Sequence, residues 1–393
     1  MTPKGYKELG ILPEDWEVVR LGDVCEICNG FAFQSKKFKK SGFPIVRISN
    51  IKSNNLISLK DMVYFSFDDY KNKDLNKFAI HQNDILVALS GATTGKIGKL
   101  KENIVLYLNQ RVGKFQPLKR LNNNFLYQNL LLQSELLFLL SGGGAQPNLS
   151  TTTIKDKIFI SLPSLAEQEK IAEILSTWDR QIQNLQSLIT EKQTLKKGLC
   201  QTLLSAKIRF KGFIEDWQVV RLGEVCEIKK GEQLNKILLD EVEGYPVING
   251  GILPSGFTSA YNTSSNTITI SEGGNSCGFV NYIQEYFWSG GHCYTLQNLK
   301  ILDMFLFQVL KHNEKKIQML RVGSGLPNIQ KRDLEKFSIS IPSKIEQEKI
   351  AEILSEADNE ITLLEQKLQS LEIQKKGLMQ KLLNGKVRVK YEK

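Results

Sequence analysis

The sequence predicts an α+β protein with two globular domains separated by two long helices, which form an antiparallel coiled coil with internal pseudo-twofold symmetry. Three observations support this architecture: blocks of sequence that occur twice, a heptad pattern of apolar residues that ends each copy, and short apolar runs bounded by turn residues in the intervening segments. A repeat of roughly 200 residues indicates a duplicated domain rather than a solenoid unit.

Two blocks of sequence occur twice along the 393 residues, and their spacing defines a repeated frame. Asp15–Ile27 recurs as Asp216–Ile228 with 11 of 13 positions unchanged, at an offset of 201 residues. Glu167–Ser176 recurs as Glu346–Ser355 without change at an offset of 179, so the second intervening segment is shorter by 22 residues. We therefore predict two like frames that hold two unlike inserts, with domains at 1–160, 161–207, 208–339 and 340–393.

Each copy of the frame ends in a long heptad pattern. The pattern begins at Ser164 and Ser343, each of which follows a proline and precedes a glutamate by three residues, the arrangement of a capping box. From there, 8 of 10 heptad positions in the first copy and 9 of 10 in the second are apolar, which predicts a coiled-coil seam. The residues assigned to this seam, or to partner helices docking on it, are Ile171, Leu175, Trp178, Ile182, Leu185, Ile350, Leu354, Ile361, Leu364 and Leu368.

The two helices should each span about 40 residues, or about 60 Å. Asn384–Gly385 predicts where the second helix ends. Gly198 and Gly377 lie at equivalent interior positions and are also assigned to partner docking. Because interior glycine costs about 1 kcal/mol relative to alanine, each marks either a tolerated kink or the close approach of another helix. Antiparallel pairing would bring the tail Lys386–Val389 to the first domain, near the start of the chain.

The two inserts mix short strands, polar loops and one helix each. Their apolar runs between turn residues are typical of strands, and the longer apolar segments are typical of buried helices. The predicted strands are Phe43–Ile48, Asp84–Leu89, Asn103–Leu108, Tyr245–Ile248, Thr267–Ile270 and Cys277–Val280, and the predicted helices are Phe125–Leu140 and Leu302–Leu320.

The composition narrows the classes of protein that need to be considered. Hydrophobic residues make up 41% and charged residues 24%, which is ordinary for a folded soluble protein. The absence of a long apolar run argues against a transmembrane helix, and Met1–Tyr6 has no apolar core of a secretion signal. Six cysteines are too few for a disulfide scaffold, which fits a reducing cytoplasm. The net charge of +10 suggests a polyanionic partner.

The usual catalytic and metal-binding signatures are missing. Ser90–Ile97 resembles a phosphate-binding loop, but the first glycine is replaced by Ser90, and Ile97 stands where Ser or Thr must bind Mg²⁺. Cys25 and Cys28 have the spacing of a zinc or redox pair, yet the second copy has lysine at the position of Cys28. We therefore expect no metal site and no catalytic residues, and we interpret Cys25 and His292–Cys293 as packing residues.

Basic and amide side chains in the inserts are candidates for DNA binding. Lysine and arginine can neutralise phosphates, while asparagine, glutamine and arginine match adenine and guanine edges. Lysine clusters are equally typical of solvated loops, and the second-insert residues are chosen by type alone. The candidates are Lys36, Lys37, Lys39, Lys40, Arg47, Lys52, Thr93, Thr94, Lys96, Lys99, Asn109, Gln110, Arg111, Lys229, Lys230, Lys236, Asn249, Asn275 and Arg321.

The whole pattern resembles the specificity subunit of type I restriction-modification systems. The resemblance covers essentially the entire chain and rests on the repeated frame, the proline-led starts of both long helices, the shared Lys-Lys-Gly-Leu, and insert motifs. These motifs are Trp16 with Arg20–Gly22, Trp217 with Arg221–Gly223, Leu162–Gln168, Ile341–Gln347, Lys196–Leu199, Lys375–Leu378, Asp84–Lys96, Leu108–Val112, Tyr245–Gly251 and Ser276–Val280.

The resemblance implies a non-catalytic, DNA-binding protein of the prokaryotic cytoplasm. Each insert would be a target recognition domain that reads one half of a bipartite, asymmetric site in double-stranded DNA. The helices would set the half-site spacing and dock two copies of the methylation subunit, and a separate restriction and translocase subunit would cut unmodified DNA. No cofactor would bind this chain, since the methyl donor, ATP and Mg²⁺ would belong to the partner subunits.

Two other classes remain open on the sequence. One is a coiled-coil scaffold whose inserts bind protein, which would lack salt-dependent DNA binding. The other is a self-contained DNA methyltransferase, which the binding of a methyl donor by the purified chain alone would support.

Overall fold

The computed structural model describes residues 12–52, 54–142, 147–323 and 327–390. The chain divides into two compact units, the first formed by Met1–Asn184 with Leu368–Lys393 and the second by Leu185–Lys367. This division runs through both long helices, so each unit contains one insert and a part of each helix. Met1–Tyr6, which was examined for a secretion signal, lies outside the described residues.

Among its described residues, the first unit combines ten short strands with four short helices, the start of one long helix and the end of the other. The strands are β1 Glu17–Arg20, β2 Cys25–Asn29, β3 Phe43–Val46, β4 Val63–Phe65, β5 Ala79–Ile80, β6 Ile85–Ala88, β7 Ile97–Lys99, β8 Leu106–Leu108, β9 Val112–Pro117 and β10 Phe159–Leu162. The helices are α1 Leu21–Val24, α2 Asn123–Leu132, α3 Ser134–Leu139, α4 Thr151–Lys157 and α5 Leu165–Leu203.

Two four-stranded sheets and one ribbon organise the first unit. One sheet has the antiparallel order β2-β9-β6-β7, and the other has the order β4-β3-β8-β5 with β3 parallel to β8. The ribbon pairs β1 with β10 and thereby closes the frame around the insert. The main core joins Trp16, Phe115 and Phe125 to the long-helix residues Ile171 and Leu175. The frame, the insert and the helix therefore share one hydrophobic core.

The second unit repeats the arrangement of sheets and ribbon, with nine strands among its described residues. The strands are β11 Gln218–Arg221, β12 Glu227–Lys230, β13 Tyr245–Ile248, β14 Phe257–Thr258, β15 Thr267–Ser271, β16 Val280–Ile283, β17 Trp288–Ser289, β18 Cys293–Gln297 and β19 Ser338–Ile341. The helices are α6 Leu222–Val225, α7 Asp303–His312, α8 Glu314–Gln318, α9 Lys331–Glu335 and α10 Lys344–Leu382.

The inserts share a sheet order although their sequences differ. The main sheet of the second unit is β12-β18-β15-β16, which matches β2-β9-β6-β7 strand for strand. The three-stranded sheet β14-β13-β17 contains one parallel pair, as the sheet β4-β3-β8-β5 of the first unit does. The two inserts, which differ in sequence, therefore share one sheet plan, as expected of two α+β domains in like frames. Backbone hydrogen bonds and an alternating buried pattern specify the sheet, and neither requires the same side chains.

Both long helices form with nearly the predicted length, since α5 and α10 contain 39 residues each. In the first unit, Ile171 and Leu175 share a core with Met379 and Leu382, which shows that the two helices run antiparallel there. The second unit contains the corresponding arrangement, in which Cys200 and Leu203 share a core with Ile350 and Leu354. The α+β class and the antiparallel helix pairing are thus confirmed within each unit.

The helix ends follow the predicted signals. The Ser164 hydroxyl accepts a 3.3 Å hydrogen bond from the backbone N–H of Glu167, as a capping residue does. The α10 helix ends at Leu382, and Gly385 has a left-handed φ of 67°, the conformation that glycine favours after a helix. A Cβ at Gly385 would lie 2.6 Å from Pro13, so this turn also requires glycine for space.

The two interior glycines lie in open positions. A Cβ built on Gly198 or on Gly377 would meet nothing within 4 Å. Within the described residues, the close approach of another helix at these positions is therefore not found. Both helices continue without interruption through their glycine, which leaves these two sites as unoccupied surface on the helices.

Candidate nucleic-acid interface

A glycine-bounded loop after the third strand of each main sheet forms the centre of the candidate interface. We call Ser90–Gly95 the first loop. Gly91 and Gly95 have φ values of 81° and 82°, and the Thr94 hydroxyl donates a 2.6 Å hydrogen bond to the Gly91 carbonyl oxygen. The loop leads into the strand β7 and not into a helix, so the helix N-terminus that a nucleotide-binding P-loop offers to phosphate is missing here.

The first loop borders a polar cavity of about 680 Å³. Gln110 and Arg111 form the opposite wall, and both are exposed. The Ser90 hydroxyl oxygen is buried and has no hydrogen-bond partner among the described residues. Unpaired donors and acceptors around an open cavity are typical of a site that is completed by a polar ligand. The predicted pair Gln110 and Arg111 is therefore well placed for base-edge contacts.

Parallel strand pairing brings another predicted pair to the same region. Because β3 and β8 are parallel, Arg47 and Asn109 follow neighbouring strands at one sheet edge. The Asn109 backbone N–H donates to the Val46 carbonyl oxygen over 3.2 Å, which ties the two strand ends together. The Nε atom of Arg47 is buried without a partner among the described residues, while its Nη2 donates to the Asp61 carbonyl oxygen. Lys96, also predicted, is exposed at the end of the first loop.

Several predicted DNA contacts have structural roles instead. Thr94 is 2% exposed, and its hydroxyl serves the loop itself. Lys99 is half-buried, donates to Asn124 Oδ1 at 2.5 Å, and has a pKa that burial lowers. These two predictions are wrong as free contacts, because local partners already hold both side chains. Lys52 is exposed and donates to the Ser49 carbonyl oxygen over 2.9 Å.

The lysine cluster before β3 is only partly free. Lys37 donates to the Asp69 carbonyl oxygen over 2.7 Å and lies 4.6 Å from the centre of the Tyr70 ring. Lys39 pairs with the Asp69 carboxylate at 2.9 Å. Lys36 and Lys40 are exposed, and Thr93 is half-buried with a hydroxyl oxygen that has no partner among the described residues. Lys37 and Lys39 therefore bond to Asp69 of the same domain, whereas Lys36 and Lys40 remain accessible to phosphate.

The second unit contains the equivalent of the first loop, and we call Gly273–Gly278 the second loop. Gly274 donates to the Pro327 carbonyl oxygen over 3.1 Å, as Gly91 donates to Pro147 over the same distance. Gly274 and Gly278 have φ values of 74° and 83°, close to those of the first loop. The sequence did not predict this equivalence. Two signals could have shown it: each loop has two glycines four residues apart, and each loop is hydrogen-bonded to the proline of a Pro-Asn pair later in the chain.

A charged cluster missed by the sequence interpretation lies beside the second loop. The Glu272 side chain is 6% exposed, and its Oε1 accepts a 2.6 Å hydrogen bond from Lys230. His292 Nδ1 lies 3.5 Å from Oε2, and the Tyr294 hydroxyl lies 3.2 Å from Oε1. Burial raises the pKa of Glu272, but the Lys230 ammonium and the Tyr294 hydroxyl outweigh burial and lower the pKa overall. His292, interpreted from the sequence as a packing residue, is largely exposed in this cluster.

The other candidates in the second unit differ in accessibility. Asn249 is half-buried, and its Oδ1 accepts a 3.2 Å hydrogen bond from the His292 backbone N–H. Asn249 therefore supports the cluster rather than facing solvent. Fully exposed positions are held by Lys229, Lys236, Asn275 and Arg321.

In each unit, one half-buried carboxylate ties the insert to the long helices. In the first unit, Asp179 accepts from Gln128 of α2 and from Lys375 of α10, each over 2.6 Å. In the second unit, Asp358 accepts a 2.7 Å hydrogen bond from Gln308 of α7 and pairs with Lys196 of α5. Each carboxylate thus joins three elements, so the orientation of the insert depends on the helix pair.

The predicted docking residues divide into two groups. Five of them are buried within the chain, which fits the seam better than an open docking surface, and the assignment stays a prediction. These are Ile171, Leu175, Leu185, Ile350 and Leu354. Ile361 is 9% exposed, and Trp178, Ile182, Leu364 and Leu368 are half-buried. Some exposed apolar residues of the long helices lie outside the heptad positions of the seam. They include Leu188, Leu195, Leu363 and Ile373.

The cysteines of the described chain are free thiols without a metal cluster. Cys25 is buried, and burial raises its pKa to about 12. Burial raises the pKa of Cys226, the equivalent residue, to about 12 as well. No group of three potential metal ligands occurs among the described residues, and none of the described helices has the length and apolar character needed to cross a membrane.

Comparison with known sequences identifies the repeated frame. The family model described as the type I restriction modification DNA specificity domain matches residues 13–192 and 214–373. A putative specificity subunit of the type I restriction enzyme MjaX from Methanocaldococcus jannaschii is 29% identical over 98% of this chain and 96% of the relative. The MjaVIII specificity subunit of the same organism is 27% identical over 98% of this chain and 97% of the relative.

Solved structures show the same fold. The S subunit of a type I restriction-modification system from M. genitalium superposes with a TM-score of 0.70 at 22% identity, covering 98% of this chain and 99% of that chain. A chain from a study of complex assembly and conformational transition of the type I R-M system superposes with a TM-score of 0.53 at 20% identity. The superposition covers 96% of this chain and 100% of that chain.

Proposed function

Since this chain belongs to the family of type I restriction-modification DNA specificity domains, we propose that each of its two units reads one half of a bipartite, asymmetric DNA site. Specificity subunits of this family are non-catalytic. One observation carries the proposal: the two loops share a backbone arrangement and differ in the side chains beside them. Arg111 and Gln110 lie beside the first loop, whereas Glu272, Lys230 and His292 lie beside the second. An asymmetric DNA site requires two domains of similar fold whose side chains contact different bases.

The affinity for DNA and the selectivity for base sequence would come from different residues. Exposed lysines such as Lys36, Lys40 and Lys96 would neutralise phosphates, and this contribution weakens as salt concentration rises. Arg111 and Gln110 would donate to base edges, where hydrogen-bond patterns differ between base pairs. Binding would therefore be salt-sensitive for any DNA and sequence-selective only where the two loops face the grooves.

The long helices would set the spacing of the half-sites and dock the partner subunits. Their length is fixed by sequence, so a helical spacer translates protein length into a DNA distance of about one turn, ~10 bp. Exposed off-seam residues such as Leu188, Leu195 and Leu363 supply apolar surface for partner helices. We expect two copies of the methylation subunit to dock here and the restriction and translocase subunit to join this assembly.

The chemistry would belong to those partners. The methyl donor, ATP and Mg²⁺ are expected on the methylation and restriction subunits, in the cytoplasm of a prokaryote. A base must leave the stack before it is methylated, so the methylation subunit needs DNA that is held in register. Holding that register is the task we assign to this chain.

A genome-wide map of N6-methyladenine, with and without the gene for this chain, tests the proposal. We expect deletion to remove one bipartite motif and complementation to restore it. Co-expression with the methylation subunit provides the control for a system that is silent in the host. A methylation subunit that is active with another specificity subunit but methylates no bipartite motif when co-expressed with this chain would overturn the proposal.

A further inference from the structure

The buried carboxylate of Glu272 occupies a position where the first unit has a leucine. Leu89 donates its backbone N–H to the Arg111 carbonyl oxygen over 2.9 Å, and its own carbonyl oxygen accepts from Leu149 over 2.8 Å. Glu272 makes the same two bonds with His292 and Ile329, over 2.9 and 2.8 Å. The two residues are therefore structurally equivalent, and the fold itself accepts an apolar side chain here.

The neighbours of Glu272 differ from those of Leu89 in a concerted way. Strand pairing places Lys230 opposite Tyr294 in the second unit and Asn29 opposite Gly113 in the first. The equivalent pairs are Leu89 and Glu272, Asn29 and Lys230, Arg111 and His292, and Gly113 and Tyr294. All four positions differ between the units, so the charged cluster of the second unit has no counterpart at the equivalent positions of the first.

A buried carboxylate at a position that accepts leucine depends on polar partners. Removing a carboxylate from water costs several kcal/mol unless its partners offset that loss. Oε2 of Glu272 accepts no hydrogen bond among the described residues, and the His292 ring nitrogen lies 3.5 Å from it. Because leucine occupies the equivalent position in the first unit, the backbone does not require a carboxylate here, which points to a role in binding.

The exposed members of the cluster show what that role can be. The Lys230 side chain is 50% exposed and the His292 side chain is 62% exposed, while Glu272 beneath them is 6% exposed. One ammonium proton of Lys230 is used by Glu272 over 2.6 Å, and two protons remain for a ligand. Because the carboxylate holds this flexible side chain in one place, the two remaining donors have a fixed direction.

We propose that Glu272 is a positioning residue that fixes Lys230 to read a guanine in the half-site of the second unit. Guanine presents two acceptors, N7 and O6, in the major groove, and a lysine ammonium can donate to both. His292 Nδ1 lies 3.5 Å from Oε2, the carboxylate oxygen that Lys230 does not use. This inference rests on the proposed function, because it names the base read by the second unit.

The test uses the complete system in a host that lacks the native gene. Glu272→Leu introduces the residue that the first unit holds at this position, and Lys230→Asn introduces the equivalent of Asn29. Each variant should relax selection against the other three bases at one guanine of one half-site, by about 5- to 150-fold in methylation ratio. The other half-site should keep its sequence.

Two controls separate positioning from general damage. Lys331→Asn removes another half-exposed lysine of the same unit, one that lies 3.7 Å from Glu335, and it should leave the motif unchanged. The melting temperature of the Glu272→Leu protein should equal or exceed that of the wild type, because an apolar side chain replaces a buried charge. If Glu272→Leu does not fold, Glu272→Gln, which removes the charge and nearly keeps the shape, tests the positioning role, and Lys230→Asn tests the base contact.

Three outcomes would contradict the proposal in distinguishable ways. Unchanged motifs in both variants would show that the cluster does not read bases. A uniform loss at all sites, with a salt dependence reduced by about one phosphate contact, would make Lys230 a backbone contact instead. A wild-type map without any bipartite motif would reject the proposed function itself.

Discussion

Lys375 donates a 2.6 Å hydrogen bond to Asp179, and this contact joins residues 196 positions apart in the chain. The Asp179 side chain is 24% exposed and that of Lys375 is 10% exposed, so water screens the pair only weakly. The same carboxylate also accepts from Gln128, which belongs to the insert. One side chain therefore connects the insert to both long helices, and loosening it should disturb stability and recognition together.

We expect Asp179→Ala to lower the free energy of unfolding by about 3–5 kcal/mol, because it leaves the ammonium of Lys375 buried without a charged partner. Urea unfolding of the purified chain measures this loss. Glu173→Ala, which breaks an exposed pair with Lys170, should change stability by less than about 1 kcal/mol. The double variant with leucine at 179 and 375 should recover much of the loss. A single-variant loss no larger than that of the control would contradict this account.

Replacing Gly198 or Gly377 by alanine should stabilise the chain. A Cβ meets nothing within 4 Å at either position, and alanine favours a helix interior by about 1 kcal/mol over glycine. Thermal melting of each variant should therefore show a higher midpoint. The opposite control is Gly95→Ala, where φ is 82° and a Cβ would lie 2.9 Å from the Phe138 nitrogen, and it should lower the midpoint. A lower midpoint for Gly198→Ala would reveal a close contact that the isolated chain does not show.

Exchanging residues 15–160 for the corresponding segment of a relative should change one half-site and leave the other intact. The reason is that β1 and the β10 residues that pair with Val19 and Arg20 lie inside the exchanged segment, so the insert is transferred with half of its closing ribbon and only Ser161 and Leu162 of β10 remain from the original chain. A methylation map of cells carrying the hybrid gene measures the outcome. A hybrid that changed both half-sites, or neither, would count against modular reading.

Deleting one heptad from each long helix should change the spacer between the half-sites. Removing residues 183–189 and 365–371 shortens each helix by about 10 Å and keeps the seam in register. At 3.4 Å per base pair, the preferred spacer should change by up to about 3 bp. Sequencing of the methylated sites measures the spacer directly. A four-residue deletion in each helix breaks the heptad register and should abolish methylation instead of changing the spacer. An unchanged spacer after the heptad deletion would show that the helices do not determine it.

Local sequence was sufficient for the features that depend on near neighbours. The heptad spacing predicted both 39-residue helices and their seam, because helical periodicity places residues three and four apart on one face. The end of α10 followed from Asn384–Gly385, since glycine readily adopts a left-handed conformation. The exact repeat of Glu167–Ser176 established duplication without any knowledge of the fold.

Tertiary structure alone decided which side chains form the reading surfaces. Glu272 meets Lys230 from 42 positions away, and no local pattern encodes that contact. Lys37, Lys99 and Thr94 look available in the sequence, yet each bonds to its own unit. The equivalence of Leu89 and Glu272 is equally invisible in sequence, because it is carried by backbone hydrogen bonds. Backbone bonding preserves a fold whatever the side chain, and so it leaves the side chains free to differ between the two units.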